Sequence, residues 1–292
     1  MSAMFKISLS ALVSAAGVST LSAVAISADE PAKFAYSFNI GATSDYVFRG
    51  VSQKKEDPAI QGGIDLTYGI AYFGLFASGV DFGNNFNAAG LRSSKQVSTE
   101  LDIYGGIKPV LGPATFDLGV IYYAYPGAND RGAARFEIEN QDYVEFKAGV
   151  SGAFIPALPK LTLGGVMFYS PEYQGKQGEV WTFEANAAYE LPAVGPVTPT
   201  ISALLGAQYG DSSGIIGTIP VGKFNLGNGS DDLLYWNVGV TLAVEKFSFD
   251  FRYWNTDISN TNNFCNGQFL QCDERFVFLG KFTYKVELTF LD

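Results

Sequence analysis

The closest approach to a catalytic arrangement in this chain is a pair of carboxylates, Glu100 and Asp102, two residues apart in an alternating segment. At that spacing they share one face of a strand, where carboxylates on a wetted wall are commonly solvated and do not act as an acid/base pair. The chain contains no histidine, the usual partner of a nucleophilic serine and the commonest metal ligand. We therefore expect no enzyme, no cofactor and no metal site.

The two cysteines, Cys265 and Cys272, lie in a polar stretch near the carboxyl end. Two thiols are too few for a zinc site but are well placed to close a small loop. Two interpretations stay open, a disulfide or two free surface thiols. The disulfide, which we favour, predicts an oxidising compartment outside the cytoplasm.

Charged residues recur at alternate positions opposite apolar ones, as in β-strands with one polar and one apolar face. If the apolar faces contact lipid, the polar faces line the interior of a barrel. The predicted lining residues are Asp45, Arg49, Asp65, Glu100, Asp102, Glu145, Lys147, Glu184, Asp250, Arg252, Lys281 and Lys285.

The predicted charges are distributed unevenly. Arg49, Arg252, Lys281 and Lys285 fall on the first and the last two strands, whereas the second, fourth and eighth strands contribute acids only. A basic strip facing an acidic wall would set up a transverse field that orients small polar solutes. The alternative is that these charges pair into salt bridges that plug a narrow barrel.

The elements that position these residues are clearest in residues 34–53, where apolar and polar side chains alternate. The segment continues through a short charged loop at 54–57 into a second alternating run at 60–68, which predicts a hairpin with one apolar face. The predicted apolar face of the first strand consists of Phe34, Tyr36, Phe38, Ile40, Ala42, Tyr46 and Phe48.

The same rhythm repeats to give about twelve strands, with short Pro/Gly turns and longer polar loops alternating along the chain. A soluble sandwich or lipocalin has no reason to place its long loops at one end, whereas an outer-membrane barrel does. Strands of roughly 10 to 12 residues can cross a bilayer at a tilt. Predicted interfacial aromatic residues are Tyr36, Tyr46, Phe48, Tyr68, Tyr169, Tyr189, Tyr209 and Tyr253.

Composition supports one membrane-embedded domain. Only 16% of the 292 residues are charged, against about 25% in an average soluble domain. The formal net charge of −10 disfavours a nucleic-acid partner, which requires clustered Lys and Arg. After the amino-terminal segment no run of about 18 apolar residues occurs, so a membrane-spanning chain of this sequence would cross with strands.

The amino terminus has the features of a secretory signal peptide. Lys6 precedes an apolar and small-residue run at 7–26, and small residues allow cleavage near residue 25 or 28. We assign residues 1–28 to the signal peptide and residues 29–292 to a single barrel domain.

Four stretches resemble the porins of the TorF family, a proteobacterial group of outer-membrane β-barrels. The resemblance is most specific over the first third of the mature chain and implies an outer-membrane pore. The matching stretches are Ser44-Asp45-Tyr46-Val47-Phe48-Arg49-Gly50-Val51-Ser52-Gln53, Asp57-Pro58-Ala59-Ile60-Gln61-Gly62-Gly63, Tyr72-Phe73-Gly74 leading to Ala77-Ser78-Gly79-Val80-Asp81, and Glu100-Leu101-Asp102-Ile103-Tyr104-Gly105-Gly106.

The sequence thus predicts an all-β, transmembrane, antiparallel up-and-down barrel in the outer membrane of a Gram-negative bacterium. Its expected partners are outer-membrane lipid and the ions or small polar solutes that diffuse passively through it. The alternative is a structural or adhesive barrel with a plugged lumen, whose external loops at 210–231 and 260–273 bind a partner. A homo-oligomer is compatible with the sequence, which specifies neither the oligomeric state nor the solute.

Overall fold

The computed structural model describes residues 34–81, 97–126, 141–174, 178–210, 232–257 and 272–288, together with two-residue strands at 11–12, 20–21, 215–216 and 219–220. Within these ranges no helix is long and apolar enough to cross a membrane. The main sheet contains twelve long strands: β1 Phe34–Thr43, β2 Ala59–Tyr68, β3 Ala71–Gly79, β4 Thr99–Ile107, β5 Ala114–Ala124, β6 Tyr143–Gly152, β7 Leu161–Ser170, β8 Val180–Glu190, β9 Thr198–Gly210, β10 Asp232–Val244, β11 Phe247–Thr256 and β12 Arg275–Leu288.

The twelve strands form a closed antiparallel barrel, which confirms the predicted fold. Each strand pairs with the next along the chain, and β12 pairs with β1 in a register that runs from Leu279 opposite Thr43 to Leu288 opposite Phe34. Closure leaves no strand edge unpaired. The two-residue strands Val47–Phe48 and Val51–Ser52 pair with each other, and Val110–Leu111 adds to β5.

Connections of different length lie at opposite ends of the barrel. The turns at 69–70, 108–113, 153–160, 191–197 and 245–246 lie at one end, which we call the turn end. The connections that follow β1, β3, β5, β7, β9 and β11 start and finish at the other end, the loop end. Gly69 and Glu245 adopt φ of 58° and 54°, which allows the two shortest turns to reverse the chain.

The outer face of the barrel is apolar around its whole circumference. Large hydrophobic side chains are exposed at alternate positions, including Phe38 on β1, Ile60 on β2, Phe183 on β8 and Phe251 on β11. A soluble monomer rarely exposes apolar patches larger than a few hundred Å². An apolar face on every strand of a closed barrel is the lipid-facing surface of a transmembrane barrel.

The prediction of one long alternating strand over residues 34–53 is wrong beyond Thr43. Residues 44–53, which we call the plug segment, leave the wall and fold into the barrel, so Tyr46 and Phe48 do not belong to the outer face. Tyr46 is only 4% exposed, and the Phe48 ring meets the inward-facing Tyr123. The reversal occurs where Arg49 and Gly50 adopt φ of 50° and 81°, a backbone conformation that interrupts a strand.

Glycine is also required at position 50 because no side chain fits there. A Cβ atom at this position would lie 2.4 Å from Cγ2 of Thr256 and 2.9 Å from Cβ of Tyr235. The plug segment therefore approaches the wall at β10 and β11 more closely than any residue with a side chain would allow.

Candidate functional site

The hydrophobic core of this protein lies inside the barrel, in its loop-end half. Its buried members come from the plug segment and from strands on every side of the wall. They include Tyr46, Val47, Val51, Phe76, Tyr104, Tyr123, Tyr143, Phe168, Tyr235 and Trp254. We treat this interior, with the charged groups embedded in it, as the candidate functional site.

Arg49 fastens the tip of the plug segment to the opposite wall. Its Nη1 and Nη2 atoms donate to Oε1 and Oε2 of Glu145 on β6, each at 2.8 Å, and both side chains are buried. The guanidinium also stacks on Phe168 of β7, 5.0 Å from the ring centroid. Burial acts to lower the pKa of Arg49, but Glu145 together with Tyr173 and Tyr235 outweighs it and the net shift is upward. Arg49 therefore stays charged inside the barrel.

Two further anchors hold the base of the plug segment. Arg275 of β12 forms an ion pair of 3.0 Å with Asp45, which also accepts a hydrogen bond of 2.7 Å from Ser52. Tyr46 donates to Oε1 of Glu100 at 2.5 Å, and Tyr125 donates to Oε2 of the same carboxylate at 2.7 Å. Burial, reinforced by Glu100, raises the pKa of Tyr46 and of Tyr125. Both hydroxyls therefore remain protonated donors.

Tyrosine donors to carboxylates recur on the barrel wall, and the rings of Tyr235 and Tyr104 each lie over a glycine. Tyr235 of β10 donates to Oε1 of Glu184 at 2.6 Å, and a Cβ atom on Gly206 of β9 would lie 2.2 Å from the Tyr235 ring. Tyr104 of β4 donates to Oδ1 of Asp65 at 2.5 Å and lies over Gly74 of β3 in the same way. Glycine lets the ring lie flat across the neighbouring strand, with its hydroxyl on the next carboxylate.

The turn-end half of the interior carries ion pairs on the wall. Asp117 of β5 contacts Lys147 of β6 at 2.6 Å and Lys108 at 3.7 Å. These three side chains are 12–15% exposed. At the turn-end mouth, Lys285 and Glu287 form a more exposed pair at 2.7 Å.

Arg252 makes extensive polar contacts near the middle of the wall. Its guanidinium donates to both oxygens of Asp250 at 2.9 and 3.0 Å, to Oδ1 of Asn237 at 2.6 Å and to Oγ of Ser202 at 2.9 Å. Its planar fork thus links β9, β10 and β11.

The predicted lining residues fall into three groups. Asp45 and Arg49 are buried inside the barrel, but they lie on the plug segment and not on the wall. Lys285 lies exposed near the turn-end mouth. The wall residues with buried or half-buried side chains inside the barrel are Asp65, Glu100, Asp102, Glu145, Lys147, Glu184, Asp250, Arg252 and Lys281.

The predicted basic strip is divided in the structure. Arg49 crosses the interior to an acid, and Arg252 pairs with Asp250 on its own strand. The transverse field that would orient solutes stays a prediction. Sequence reasoning missed Asp117 and Arg275, although both occupy the alternate positions that face inward on their strands. It also missed the tyrosines, because a tyrosine was taken as an apolar or interfacial residue.

Of the two cysteines, Cys272 is buried and disulfide-bonded. Cys265 lies outside the described residues, so the predicted pairing of Cys265 with Cys272 stays a prediction. Within the ranges that the structure describes, no group of three or more His, Cys, Asp or Glu residues could hold a metal ion.

The closed wall, apolar outside and charged inside, defines a transmembrane β-barrel. A family described as a bacterial protein of unknown function (Gcw_chp) has a sequence model that matches residues 27–284. The chain therefore belongs to this family. The resemblance to the TorF family is not confirmed by this match. No curated protein matches the chain.

The structure is similar to those of several solved barrels. A NanC porin shares 8% identity at a TM-score of 0.48, over 85% of this chain and 100% of that chain. A KdgM porin shares 8% identity at a TM-score of 0.45, over 86% of this chain and 98% of that chain. An outer membrane channel from Pseudomonas putida F1 shares 12% identity at a TM-score of 0.46, over 89% of this chain and 97% of that chain. No residue role is transferred from them.

Proposed function

We propose that the protein is an outer-membrane channel through which ions or small polar solutes diffuse, and that the plug segment closes its loop-end half in the conformation described. The proposal rests on what fills the barrel. Wall side chains can fill an interior of about eight strands, and wider barrels enclose more space than their walls can occupy. Here the wall has twelve strands, and residues 44–53 occupy the loop-end interior.

The contacts of the plug segment favour a closure that can open. Asp45, Tyr46 and Arg49 each engage an inward-facing side chain of the wall or the loop end through an ion pair or a hydrogen bond. These groups are well solvated by water when they separate. Displacement of the plug segment would therefore leave a polar passage lined by Glu100, Glu145 and their neighbours.

The proposal is tested by planar-bilayer recording of the purified protein. We expect channel events from the natural protein and a higher mean conductance from Arg49→Ala, because loss of Arg49 leaves Glu145 buried without its partner and weakens the closed state. Glu145→Gln removes the same ion pair from the wall side and should have the same effect. Lys160→Ala is the matched control, since it breaks an exposed ion pair with Glu190 and should leave conductance unchanged.

Folding of each variant is checked by its heat-modifiable mobility on gels and by its circular dichroism. If the natural protein, Arg49→Ala and Glu145→Gln all fold but none of them conducts ions, the channel proposal is wrong. That result would favour the structural or adhesive barrel, whose lumen stays filled and whose external loops bind a partner.

A further inference from the structure

The loop-end half of the interior contains carboxylates without an ion-pair partner. Glu145 and Asp45 are neutralised by Arg49 and Arg275. Among the described residues, Glu100, Asp102 and Glu184 form no ion pair. Two of these three are stabilised by tyrosine hydroxyls: Glu100 by Tyr46 and Tyr125, and Glu184 by Tyr235.

Asp102 on β4 differs from the other two. It is 2% exposed, and its Oδ1 atom accepts no hydrogen bond from the part of the chain that the structure describes. Its cross-strand neighbours are Phe76 and Tyr123, and the Tyr123 hydroxyl is directed to Glu145. The charged groups that act on Asp102 most strongly are two further acids, Glu100 and Glu145. A buried carboxyl in such surroundings is costly as an anion, so it either takes up a proton or is held by a cation that reaches it.

We infer that Asp102 is a contact site for small monovalent cations that enter the barrel, which makes the channel cation-selective. This inference rests on the proposed function and specifies the class of solute. A monovalent cation fits better than a divalent one, because Ca²⁺ takes six to eight oxygen ligands, and the described residues include no cluster able to hold a metal ion. Rings of acidic side chains select cations in other channels.

The first test measures the reversal potential across a bilayer in a potassium chloride gradient. We expect the natural protein to favour K⁺ over Cl⁻, and Asp102→Asn to lower the permeability ratio severalfold. Asp102→Glu keeps the charge and should retain the preference. The matched control, Glu190→Gln, removes one negative charge at the exposed turn end and should leave the ratio unchanged.

The second test needs no conduction. Trp254 belongs to the same buried interior cluster as Tyr123, whereas the other two tryptophans, Trp181 and Trp236, are exposed on the outer face. With those two replaced by phenylalanine, Trp254 fluorescence reports on the interior. We expect Cs⁺ to quench it more strongly than iodide, each normalised to free N-acetyltryptophanamide, and Asp102→Asn to reduce the difference.

The outcomes separate the two proposals. A protein that conducts without a preference for K⁺, or with a preference for Cl⁻, leaves the channel standing and overturns the cation site. A protein that never conducts overturns the channel, and the fluorescence then decides about Asp102. Equal quenching by Cs⁺ and iodide, or no quenching by Cs⁺, overturns the cation site in either case. The cation site is also overturned if folded Asp102→Asn keeps the natural K⁺/Cl⁻ permeability ratio and the natural difference between Cs⁺ and iodide quenching.

Discussion

The loop-end and turn-end halves of the barrel interior have the same wall, yet their side chains are buried to different degrees. At the loop end, Thr182 and Glu145 are fully buried, because the plug segment and the aromatic cluster surround them. At the turn end, the side chains of Lys147 and Asp117 keep 12% and 15% of their surface exposed. Ser37, Asp65 and Thr241 in the turn-end half are buried as well, so wall side chains bury one another there in part, and the inserted segment adds the complete burial seen at the loop end.

The two halves also differ in charge. Glu100, Asp102 and Glu145 lie towards the loop end, whereas Lys108 and Lys285 lie towards the turn end. The interior charge therefore varies along the barrel axis. The predicted transverse field, in contrast, would run across the barrel from one wall to the other. A cation entering from the loop end meets the acidic half first.

The largest expected effect is on how fast a thiol reagent reaches cysteines introduced in the two halves of the interior. Cysteine introduced at Ser151, in the turn-end half, should react with a cationic methanethiosulfonate in detergent about 100-fold faster than cysteine at Thr182. The reason is that Thr182 becomes accessible only through a local opening, for which we estimate about 3 kcal/mol. Labelling rates followed by mass spectrometry check this expectation.

The same labelling experiment can contradict the proposed difference in access between the two halves. Adding Arg49→Ala to Thr182→Cys should bring its labelling rate towards that of Ser151→Cys, because the plug segment loses its anchor on Glu145. Similar rates at both positions in the natural background would show that the halves do not differ in access. The unsubstituted protein serves as the background, since Cys272 is disulfide-bonded.

A smaller effect is expected at the glycines that accommodate tyrosine rings. Gly206→Ala places a Cβ atom 2.2 Å from the Tyr235 ring, and overpacking of this kind costs about 1–3 kcal/mol. The matched control is Gly165→Ala on β7, where the nearest atom would be the Glu184 carbonyl oxygen at 3.8 Å. Urea midpoints in detergent should fall for Gly206→Ala and stay close to the natural value for Gly165→Ala.

An effect of similar size concerns the tyrosine hydroxyls. Tyr235→Phe removes the hydrogen bond to Glu184 inside the barrel, and a buried acceptor left without its donor costs about 1–3 kcal/mol. Tyr122→Phe removes an exposed hydrogen bond of 3.0 Å to Asp142 and should have no measurable effect. Equal urea midpoints for the two variants would contradict the view that tyrosines stabilise the interior carboxylates.

Several features of the fold could be predicted because they depend on local patterns. Alternation with a period of two placed Tyr36, Phe38 and Ile40 on the outer face of β1, where they are exposed. The alternation of short turns and long loops predicted an up-and-down barrel of about twelve strands, and the main sheet has twelve long strands. The failure at residues 44–53 has a local cause as well. Alternation continued through the segment, but the chain leaves the wall after Thr43 and doubles back inside the barrel at Arg49 and Gly50, which adopt positive φ.

The sequence by itself determined the strands, the turns between them and the face of each strand that meets lipid, because these follow from side-chain periodicity and turn chemistry over a few residues. Only the tertiary structure decided which charges meet inside the barrel. Arg49 and Glu145 are 96 residues apart in the chain, and Asp45 and Arg275 are 230 apart. Such pairs form only when β12 closes against β1 and the plug segment enters the barrel, and neither event leaves a short-range signal in the sequence.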